Sequence, residues 1–217
     1  MVKYIYQQND WPNFTWDSGK LATILGRVRN LQGKLMGKMS SLGFSLKAEA
    51  SLTTLTLDVI KSSEIEGEKL NYEQVRSSIA RKLGIDVAGL VLSARNIDGI
   101  VEMMLDATQN YLNPLTDERL FGWHSVLFPT GRSGLYKITV GNWRQDEGGP
   151  MQVVSGAMGK EKIHYQAPDS IDVPKEMELL LNWINENNEI DSVIKTAIAH
   201  LWFVTIHPFD DGNGRIA

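Results

Sequence analysis

The chain is 217 residues long, which at about 150 residues per domain allows one core with an appendage. Its 42% hydrophobic and 22% charged residues match an ordinary globular composition and exclude the low-hydrophobicity signature of disorder. A net charge of −4 argues against nucleic acid as the default partner, and the absence of cysteine removes disulfides, thiolate metal sites and thiol nucleophiles.

The sequence carries no targeting or membrane signal. Residues 1–10 lack the basic start and the long apolar stretch of a signal peptide. The apolar runs fall short of the ~18 residues that span a bilayer. We therefore expect a cytoplasmic protein with neither a membrane nor a nucleic acid as its partner.

Apolar residues at three- and four-residue spacing predict helices through the N-terminal part of the chain. Asp17 is placed to cap the first helix, and Gly43 to end it. Asn71 starts the third helix with Gln74 in the capping-box position, and Gly84 ends it. The predicted helices cover residues 17–43, about 46–67 and 71–84.

The second half of the chain alternates helical and extended patterns. Thr116 caps a helix that ends before Pro129, and Pro174 and Asp191 each begin a further helical pattern. Short extended runs around a Gly-Gly-Pro turn predict a small β-hairpin that forms a flap. Helices are predicted at residues 93–111, 116–128, from 174 and from 191 to 206, and extended runs at 136–140, 151–154 and 162–165. The chain thus reads as mainly α, with an N-terminal helical region over residues 1–90 and a second domain over 91–217.

The segment from His207 to Arg215 combines groups that suit a phosphate site. Two Asx-Gly pairs at residues 211–214 permit positive φ, so that successive backbone N–H groups can face one concavity. Arg215 adds a permanent cation with a fork of donors, and Asp211 offers the hard oxygen ligand that Mg²⁺ takes beside phosphates. His207 is of the one side-chain type that readily takes a proton at neutral pH.

Two other motifs overlap these residues. An EF-hand alignment would place Phe209 where the first carboxylate ligand must be, so calcium binding is disfavoured. A loose dinucleotide fingerprint from Gly212 to Ala217 needs a preceding strand, whereas a helix is predicted there. A surface turn with a packed histidine explains any single residue here, but not the whole set. His124, which lies outside this segment, is expected to be a core or boundary histidine.

The segment as a whole resembles the signature of the Fic family, His-x-Phe-x-Asp/Glu-Gly-Asn-Gly-Arg-x-x-Arg. Residues 207–215 match every signature position that they reach. The tryptophan-rich start, the extended runs and the lead-in at residues 199–203 are similar to the bacterial branch of Fic proteins with an extra N-terminal domain. The sequence stops at Ala217, one residue before the second signature arginine. We therefore expect a Fic-type helical domain with a small β-hairpin flap, truncated within the signature and incomplete at its C-terminus.

The resemblance implies a protein adenylyltransferase that moves AMP from ATP to a Ser, Thr or Tyr hydroxyl of a target protein. By similarity, His207 is the general base, and Asp211 holds Mg²⁺ on the phosphates of ATP. Phe209 is expected only to anchor the loop in the core. The residues expected to hold the nucleotide are Gly212, Asn213, Gly214 and Arg215.

The flap also gains a role from the resemblance. It is expected to bind an extended segment of the target protein by strand addition, in which main-chain hydrogen bonds hold the acceptor hydroxyl. A hairpin that only covers the core is the alternative for any one of its residues. The residues expected to contact the target are Met151, Gln152, Val153, Val154 and Ser155.

The run Ser62-Ser63-Glu64-Ile65-Glu66-Gly67 looks like the inhibitory motif of the family, with Ser62, Glu66 and Gly67 at its fixed positions. In the family, that glutamate pairs with the second signature arginine and keeps the ATP γ-phosphate from settling productively. A carboxylate in that place repels triphosphate and competes for a guanidinium. Without the resemblance, the motif is a charged helix end with Gly67 as its C-cap.

Other activities remain open at this stage. A Fic-like regulatory module could bind nucleotide or a partner without transferring AMP. The same site could instead remove AMP by hydrolysis, with Glu66 orienting water, or use another nucleotide. Because helix-rich Fic domains often self-associate, a homo-oligomer is a further expectation.

Overall fold

The computed structural model describes residues 4–156, 160, 162–187 and 189–217, which include every predicted site residue. Most of these residues are helical, and two short antiparallel hairpins interrupt the helices. The predicted mainly α fold is therefore confirmed. The helices are α1 Ser18–Ser41, α2 Phe44–Ile65, α3 Tyr72–Leu83, α4 Arg95–Gln109, α5 Asp117–Leu127, α6 Val173–Asn185, α7 Ser192–Ile206 and α8 Asn213–Ile216. The strands are β1 Arg132–Ser133, β2 Tyr136–Lys137, β3 Gln152–Ser155 and β4 Lys162–Gln166.

The chain divides into two compact units. One unit comprises Thr15–Met104, and the other combines Met1–Phe14 with Leu105–Ala217. The first unit contains the predicted inhibitory motif. The second contains the signature and the flap. Across the described residues, no helix combines the length and the apolar character needed to cross a membrane.

Capping side chains begin two helices of the Thr15–Met104 unit, α1 and α3. The Asp17 carboxylate accepts a backbone N–H of α1 at 3.0 Å, and the Asn71 side chain accepts the N–H of Gln74 at 3.0 Å. The second half of the predicted capping box was wrong. Gln74 Oε1 accepts the N–H of Ala94 at 3.0 Å instead, because this glutamine holds the chain that enters α4. Gly43, predicted to end α1, is the N-cap of α2.

The apolar core of this unit forms where α2 packs against α3. Its most deeply buried apolar side chains also include one from α4; the set is Leu52, Val59, Val75, Ile79 and Val101. Along α1, by contrast, Ile24, Leu31, Leu35 and Met36 are exposed. The apolar periodicity of α1 therefore predicted its helix correctly, although these four apolar side chains are exposed.

The unit that carries the signature is built around the packing of α6 against α7. Phe209, which follows α7, is fully buried in the same core as Trp202 of that helix. The aromatic entry segment packs on this core through Trp11 and Phe14. The buried residues of the core are Leu120, Trp143, Val173, Met177, Leu180, Leu181, Ile198, Trp202, Phe203, Ile206 and Phe209. The loop after α7 is thus anchored in the core through Phe209, as the sequence predicted.

The two hairpins lie between α5 and α6. β3 pairs antiparallel with β4, and an extra residue at His164 shifts the register between Val153 and Val154. The predicted extended run at 136–140 is a strand only at its first two residues, which pair with β1. Beyond them, the N–H of Thr139 donates to the Asp210 carboxylate at 2.7 Å, so this stretch supports the signature loop rather than a sheet.

Candidate active site

Helix α7 ends at the first residue of the signature. His207 has a left-handed backbone, φ 53° and ψ 61°, and its N–H donates to the carbonyl of Phe203 at 2.9 Å. This conformation costs a non-glycine residue roughly 1–2 kcal/mol, so the surrounding contacts must hold it. Gly212 is left-handed as well, with φ 81°, and is the N-cap of α8. The signature loop thus lies between two left-handed residues.

Asn213 fixes the loop from inside. Its Oδ1 accepts the N–H of Phe209 at 3.0 Å, and its Nδ2 donates to the carbonyl of Phe209 at 2.8 Å. The side chain is buried, with the residue only 2% exposed. One amide therefore satisfies both backbone groups of Phe209. The expected phosphate contact of Asn213 stays a prediction, and the structure gives its side chain a role within the loop.

His124 of α5 contacts the signature loop through its ring and through its Nε2 atom. Its ring is stacked on Phe209, with centroids 4.2 Å apart and planes 7° from parallel. Nδ1 accepts the N–H of Gly141 at 3.3 Å, and Nε2 lies 3.1 Å from the carbonyl oxygen of Asp211. Because Nδ1 accepts a hydrogen bond and Nε2 faces a carbonyl oxygen, the proton is assigned to Nε2. The imidazole is therefore neutral and donates to the Asp211 carbonyl. Burial lowers the pKa of His124, which favours the same neutral form.

The carboxylates of Asp210 and Asp211 both accept hydrogen bonds from protein donors. The Ser133 hydroxyl of β1 donates to Asp211 Oδ2, and the N–H of Gly212 donates to Asp211 Oδ1 at 2.6 Å. Asp210 accepts the N–H of Thr139. A phosphate at this turn would therefore compete with Asp211 for the Gly212 amide, which the sequence analysis expected to contact the nucleotide.

Phe128, just after α5, packs against the end of the signature. The guanidinium carbon of Arg215 lies 4.9 Å from the Phe128 ring centroid, a cation–π arrangement. A Cβ at Gly212 would come within 2.8 Å of Phe128 Cε2, so the position excludes any side chain. The half-buried Arg215 and the exposed Gly214 are the last predicted nucleotide contacts along this turn.

A groove of about 950 Å³ lies between the flap and the signature. Residues 144–150 form one part of its wall, and Met151, Gln152 and Val154 line it beside them. Asp210 of the signature also lines the groove. The structure therefore brings three of the five predicted flap residues and one signature residue to the same groove.

The remaining two flap residues, Val153 and Ser155, are exposed on β3. Ser155 Oγ lies 2.6 Å from His164 Nε2 across the hairpin. Val153 is paired with Tyr165, whose hydroxyl donates to the carbonyl of Thr205 at 2.6 Å. This bond attaches β4 to α7, so the hairpin has a fixed base near the signature helix.

Comparison with known protein families covers most of the chain. A family described as Fic/DOC matches residues 114–217, a span that contains the signature, the groove and the flap. Residues 114–217 form a Fic/DOC domain. A second family, described as a domain of unknown function (DUF4172), matches residues 4–85, which include the predicted inhibitory motif.

Curated relatives of this Fic protein bear the name protein adenylyltransferase. The protein adenylyltransferase fic-1 of Caenorhabditis elegans is 26% identical over 167 residues, which are 76% of this chain and 30% of the relative. A probable protein adenylyltransferase of Aquifex aeolicus is 40% identical over 52 residues, which are 24% of this chain and 16% of the relative. The chain thus spans less than a third of the length of these relatives.

Solved structures of Fic proteins share the fold. A Fic family protein from Desulfovibrio desulfuricans superposes with a TM-score of 0.57 at 25% identity, over 94% of this chain and 56% of that one. A Fic domain containing signaling protein from Bacteroides thetaiotaomicron gives 0.58 at 23% identity, over 85% and 68% of the two chains. These superpositions confirm the Fic-type helical fold with its hairpins.

One residue of the candidate site has no signal in the local sequence, and another has a larger role than the sequence indicated. Arg144 is 1% exposed, and its Nε donates to the carbonyl of His207 at 2.8 Å, across 63 residues of chain. No local pattern marks it. His124 is a core histidine, as expected, but its contact with Asp211 across 87 residues makes it part of the loop's support.

The predicted inhibitory motif ends α2 in the other unit. Glu66 is the C-cap, and Gly67 follows with φ 80°. The two N–H groups after Glu66 bond back to the carbonyls of Glu64 and Ser63, at 3.0 and 2.9 Å, which completes a Schellman motif. Gly67 is therefore the left-handed residue just after the C-cap that ends the helix, and Ser62 and Glu66 are exposed. The inhibitory role stays a prediction.

Proposed function

We propose that this Fic protein transfers AMP from ATP to a hydroxyl group of a target protein. The observation that carries the proposal is the signature loop, in which His207 is left-handed and Asp210 lines a groove that the flap also lines. The curated relatives named protein adenylyltransferase support the same reaction class. Transfer of this type depends mainly on positioning and charge stabilisation, for which a rigid loop is suited.

His207 is the proposed general base. The target hydroxyl oxygen attacks the α-phosphate of ATP, the bond to the bridging oxygen of the β-phosphate breaks, and pyrophosphate leaves. His207 accepts the hydroxyl proton as the new phosphate ester forms. The fixed backbone at His207, bonded at both its N–H and its carbonyl, supports this role because a base must be held within hydrogen-bond reach of the proton.

Arg215 and the amide of Gly214 are the proposed contacts for the phosphates. Arg215 provides a permanent positive charge for the leaving pyrophosphate. The Phe128 ring beneath its guanidinium restricts the head group without removing the charge. Gly212 and Asn213 take part through the shape of the turn, because their polar groups already bond to Asp211 and Phe209.

The residues present fit a magnesium ion held mainly by its substrate. Asp211 places one hard carboxylate at the turn, and each of its oxygens keeps acceptor capacity beyond one hydrogen bond. Among the described residues, no group of three or more acidic or histidine side chains forms a protein cage for a metal. Mg²⁺ commonly binds through one or two carboxylates together with substrate phosphates and waters, and when bound it neutralises phosphate charge.

The groove beside β3 is the proposed place for the target segment. Among the described strands, β3 pairs with β4 alone, so its other edge can accept an added strand. Val153 and Val154 expose about half of their surface, which suits contact with a partner. Main-chain pairing along β3 fixes the target backbone while demanding little of its sequence.

The transfer is tested by intact-mass analysis of the protein after incubation with ATP and Mg²⁺. We expect the wild-type chain or its Glu66→Gln variant to gain the mass of AMP. His207→Ala should abolish the gain, whereas His200→Ala, at an exposed position on α7, should leave it unchanged. No AMP on either the wild type or the Glu66→Gln chain contradicts the proposal, and Mg²⁺-dependent ATP binding in its place indicates a non-catalytic module.

We propose autoinhibition by Glu66 because it occupies the glutamate position of the inhibitory motif and its side chain is exposed. Because a carboxylate beside a triphosphate costs at least about 1.4 kcal/mol, Glu66→Gln should raise the rate of AMP transfer by about tenfold or more. Glu64→Gln is the matched control, because this exposed glutamate belongs to the same helix end and pairs with Lys61 in the turn before it. Equal rates in both variants would remove the inhibitory role.

A further inference from the structure

Arg144 is a buried charge at the centre of the signature unit. Its guanidinium donates to three acceptors: Nε to the His207 carbonyl at 2.8 Å, Nη1 to Asp146 Oδ1 at 2.7 Å and Nη2 to the Pro168 carbonyl at 2.5 Å. Its own N–H donates to the carbonyl of Pro208 at 2.9 Å. One residue therefore connects the signature, the loop before the flap and the segment that follows β4.

A guanidinium this deep is costly unless its donors are satisfied. Burial lowers the pKa of Arg144, while Asp146 counteracts this effect. A neutral side chain could fill the same volume without that cost. The arrangement of bonds shows what the charge provides, because a planar fork can meet three acceptors on separate segments at once, and a lysine ammonium cannot match that geometry.

The bonds of Arg144 converge on the strained residue. His207 is held in its left-handed conformation by its N–H bond to Phe203 and by the Arg144 bond to its carbonyl. The bond from the Arg144 N–H to Pro208 fixes the next peptide as well. Without these bonds, the backbone of a non-glycine residue relaxes toward negative φ. The imidazole would then change direction.

The opposite end of the Arg144 network reaches the groove. Asp146 lines the groove beside the flap, and its second oxygen accepts the N–H of Ser170 at 2.6 Å. Pro168 follows the end of β4. The same guanidinium thus touches the wall of the proposed target site and the backbone of the proposed base.

We propose that Arg144 is a positioning residue that holds His207 in its left-handed conformation and links it to the groove. The catalytic part of this inference rests on the proposed AMP transfer, and the conformational part does not. Arg144 acts through the carbonyl of His207 and not on the substrate. Its loss therefore lowers the rate of the transfer step and leaves the affinity for ATP unchanged.

The first test is independent of activity. Amide hydrogen exchange and the backbone ¹³C shifts of His207 are measured by NMR in the wild type, Arg144→Lys and Arg119→Lys. Arg119 is the matched control, because its guanidinium also bonds several acceptors, all within residues 106–114. In Arg144→Lys alone, we expect the His207 amide to exchange about tenfold faster and its shifts to move toward values for negative φ. Unchanged His207 signals in a folded Arg144→Lys protein would overturn the proposal.

The second test uses AMP transfer under single-turnover conditions. Because a small misplacement of a catalytic group can cost about 100-fold, Arg144→Lys should lower the transfer rate by about that factor with the KM for ATP unchanged. Arg119→Lys should keep the wild-type rate per folded molecule. A rise in the KM for ATP with an unchanged transfer rate would contradict positioning. If the wild type transfers no AMP, the proposed function fails, and the NMR result still decides the conformational role.

A second variant covers the case in which Arg144→Lys does not fold. Asp146→Asn keeps the guanidinium and its bonds to the two carbonyls but removes its counter-ion. We expect smaller changes in the same direction at the His207 amide. If Asp146→Asn leaves the His207 amide and its shifts at wild-type values while Arg144→Lys is unfolded, the link from the groove to His207 is refuted.

Discussion

Two asparagines of this unit make the same pair of hydrogen bonds in different surroundings. Asn213 binds the N–H and the carbonyl of Phe209 at 3.0 and 2.8 Å, both buried. Asn185 binds the N–H and the carbonyl of Leu115 at 2.8 and 2.7 Å, both exposed. The chain therefore supplies a matched pair that separates the bonds themselves from their burial.

The expected loss of stability follows from what replaces each amide. In Asn213→Ala, two buried backbone groups lose their partners, and at about 1–3 kcal/mol each the free energy of unfolding should fall by roughly 2–6 kcal/mol. In Asn185→Ala, water takes over the same bonds at the surface, so the fall should be at most about 1 kcal/mol. Asn213→Asp keeps an acceptor for the Phe209 N–H but places a carboxylate oxygen against its carbonyl. It should therefore be destabilised as strongly as Asn213→Ala.

Urea unfolding followed by tryptophan fluorescence measures these differences. Five of the six tryptophans lie in the unit that contains the signature, so the signal reports on that unit; the sixth is Trp16. Equal losses in Asn213→Ala and Asn185→Ala would show that burial of the Phe209 backbone does not matter. A loss below about 1 kcal/mol in Asn213→Ala would refute the role of its side chain as the support of the loop.

The remaining predictions concern the turn and the histidine beneath it. Gly212→Ala places a Cβ on a left-handed residue, 2.8 Å from Phe128, and should lower the free energy of unfolding by about 2–4 kcal/mol. Gly148→Ala is the control, because a Cβ at Gly148 meets open space and should change the free energy of unfolding little. Equal urea midpoints in the two variants would contradict this prediction. Burial lowers the pKa of His124, so below about pH 6.5 the unfolded chain takes up a proton that the folded chain resists. As the pH falls below that value, the free energy of unfolding of the wild type should therefore decrease by up to about 1.4 kcal/mol per pH unit. Above that value, His124 should contribute no pH dependence. Urea unfolding at a series of pH values should show a smaller decrease in His124→Gln.

Local signals in the sequence were sufficient for most of the helices. Asp17, Asn71, Thr116 and Asp191 each accept a backbone N–H in the first turn of the helix that they were predicted to start. Gly84 ends α3 in a left-handed conformation, as expected. Each of these features depends only on neighbours within a few residues, so the sequence contains all the information that they need.

Features that depend on distant partners were beyond local patterns. The Gln74 side chain does not make its predicted capping bond but accepts the N–H of Ala94, 20 residues away. The run after Lys137 has strand-forming residues, yet Thr139 bonds to Asp210 of the signature. In both cases a tertiary contact overrides the preference of the local sequence. Arg144 has no local signal at all, because its partners become neighbours only when the fold is complete.

The structure also divides the signature in a way that the motif alone does not. A motif match weighs each of its residues equally, but only residues that reach solvent can touch a nucleotide. Phe209, Gly212 and Asn213 are buried, and the polar groups of Gly212 and Asn213 are used within the loop. In the proposed transfer, the direct contacts with the nucleotide are therefore assigned to the half-buried or exposed residues His207, Asp211, Gly214 and Arg215. Loss of activity in a variant at Asn213 or Gly212 would therefore report on the conformation of the loop, and it identifies a nucleotide contact only if the unfolding free energy is unchanged.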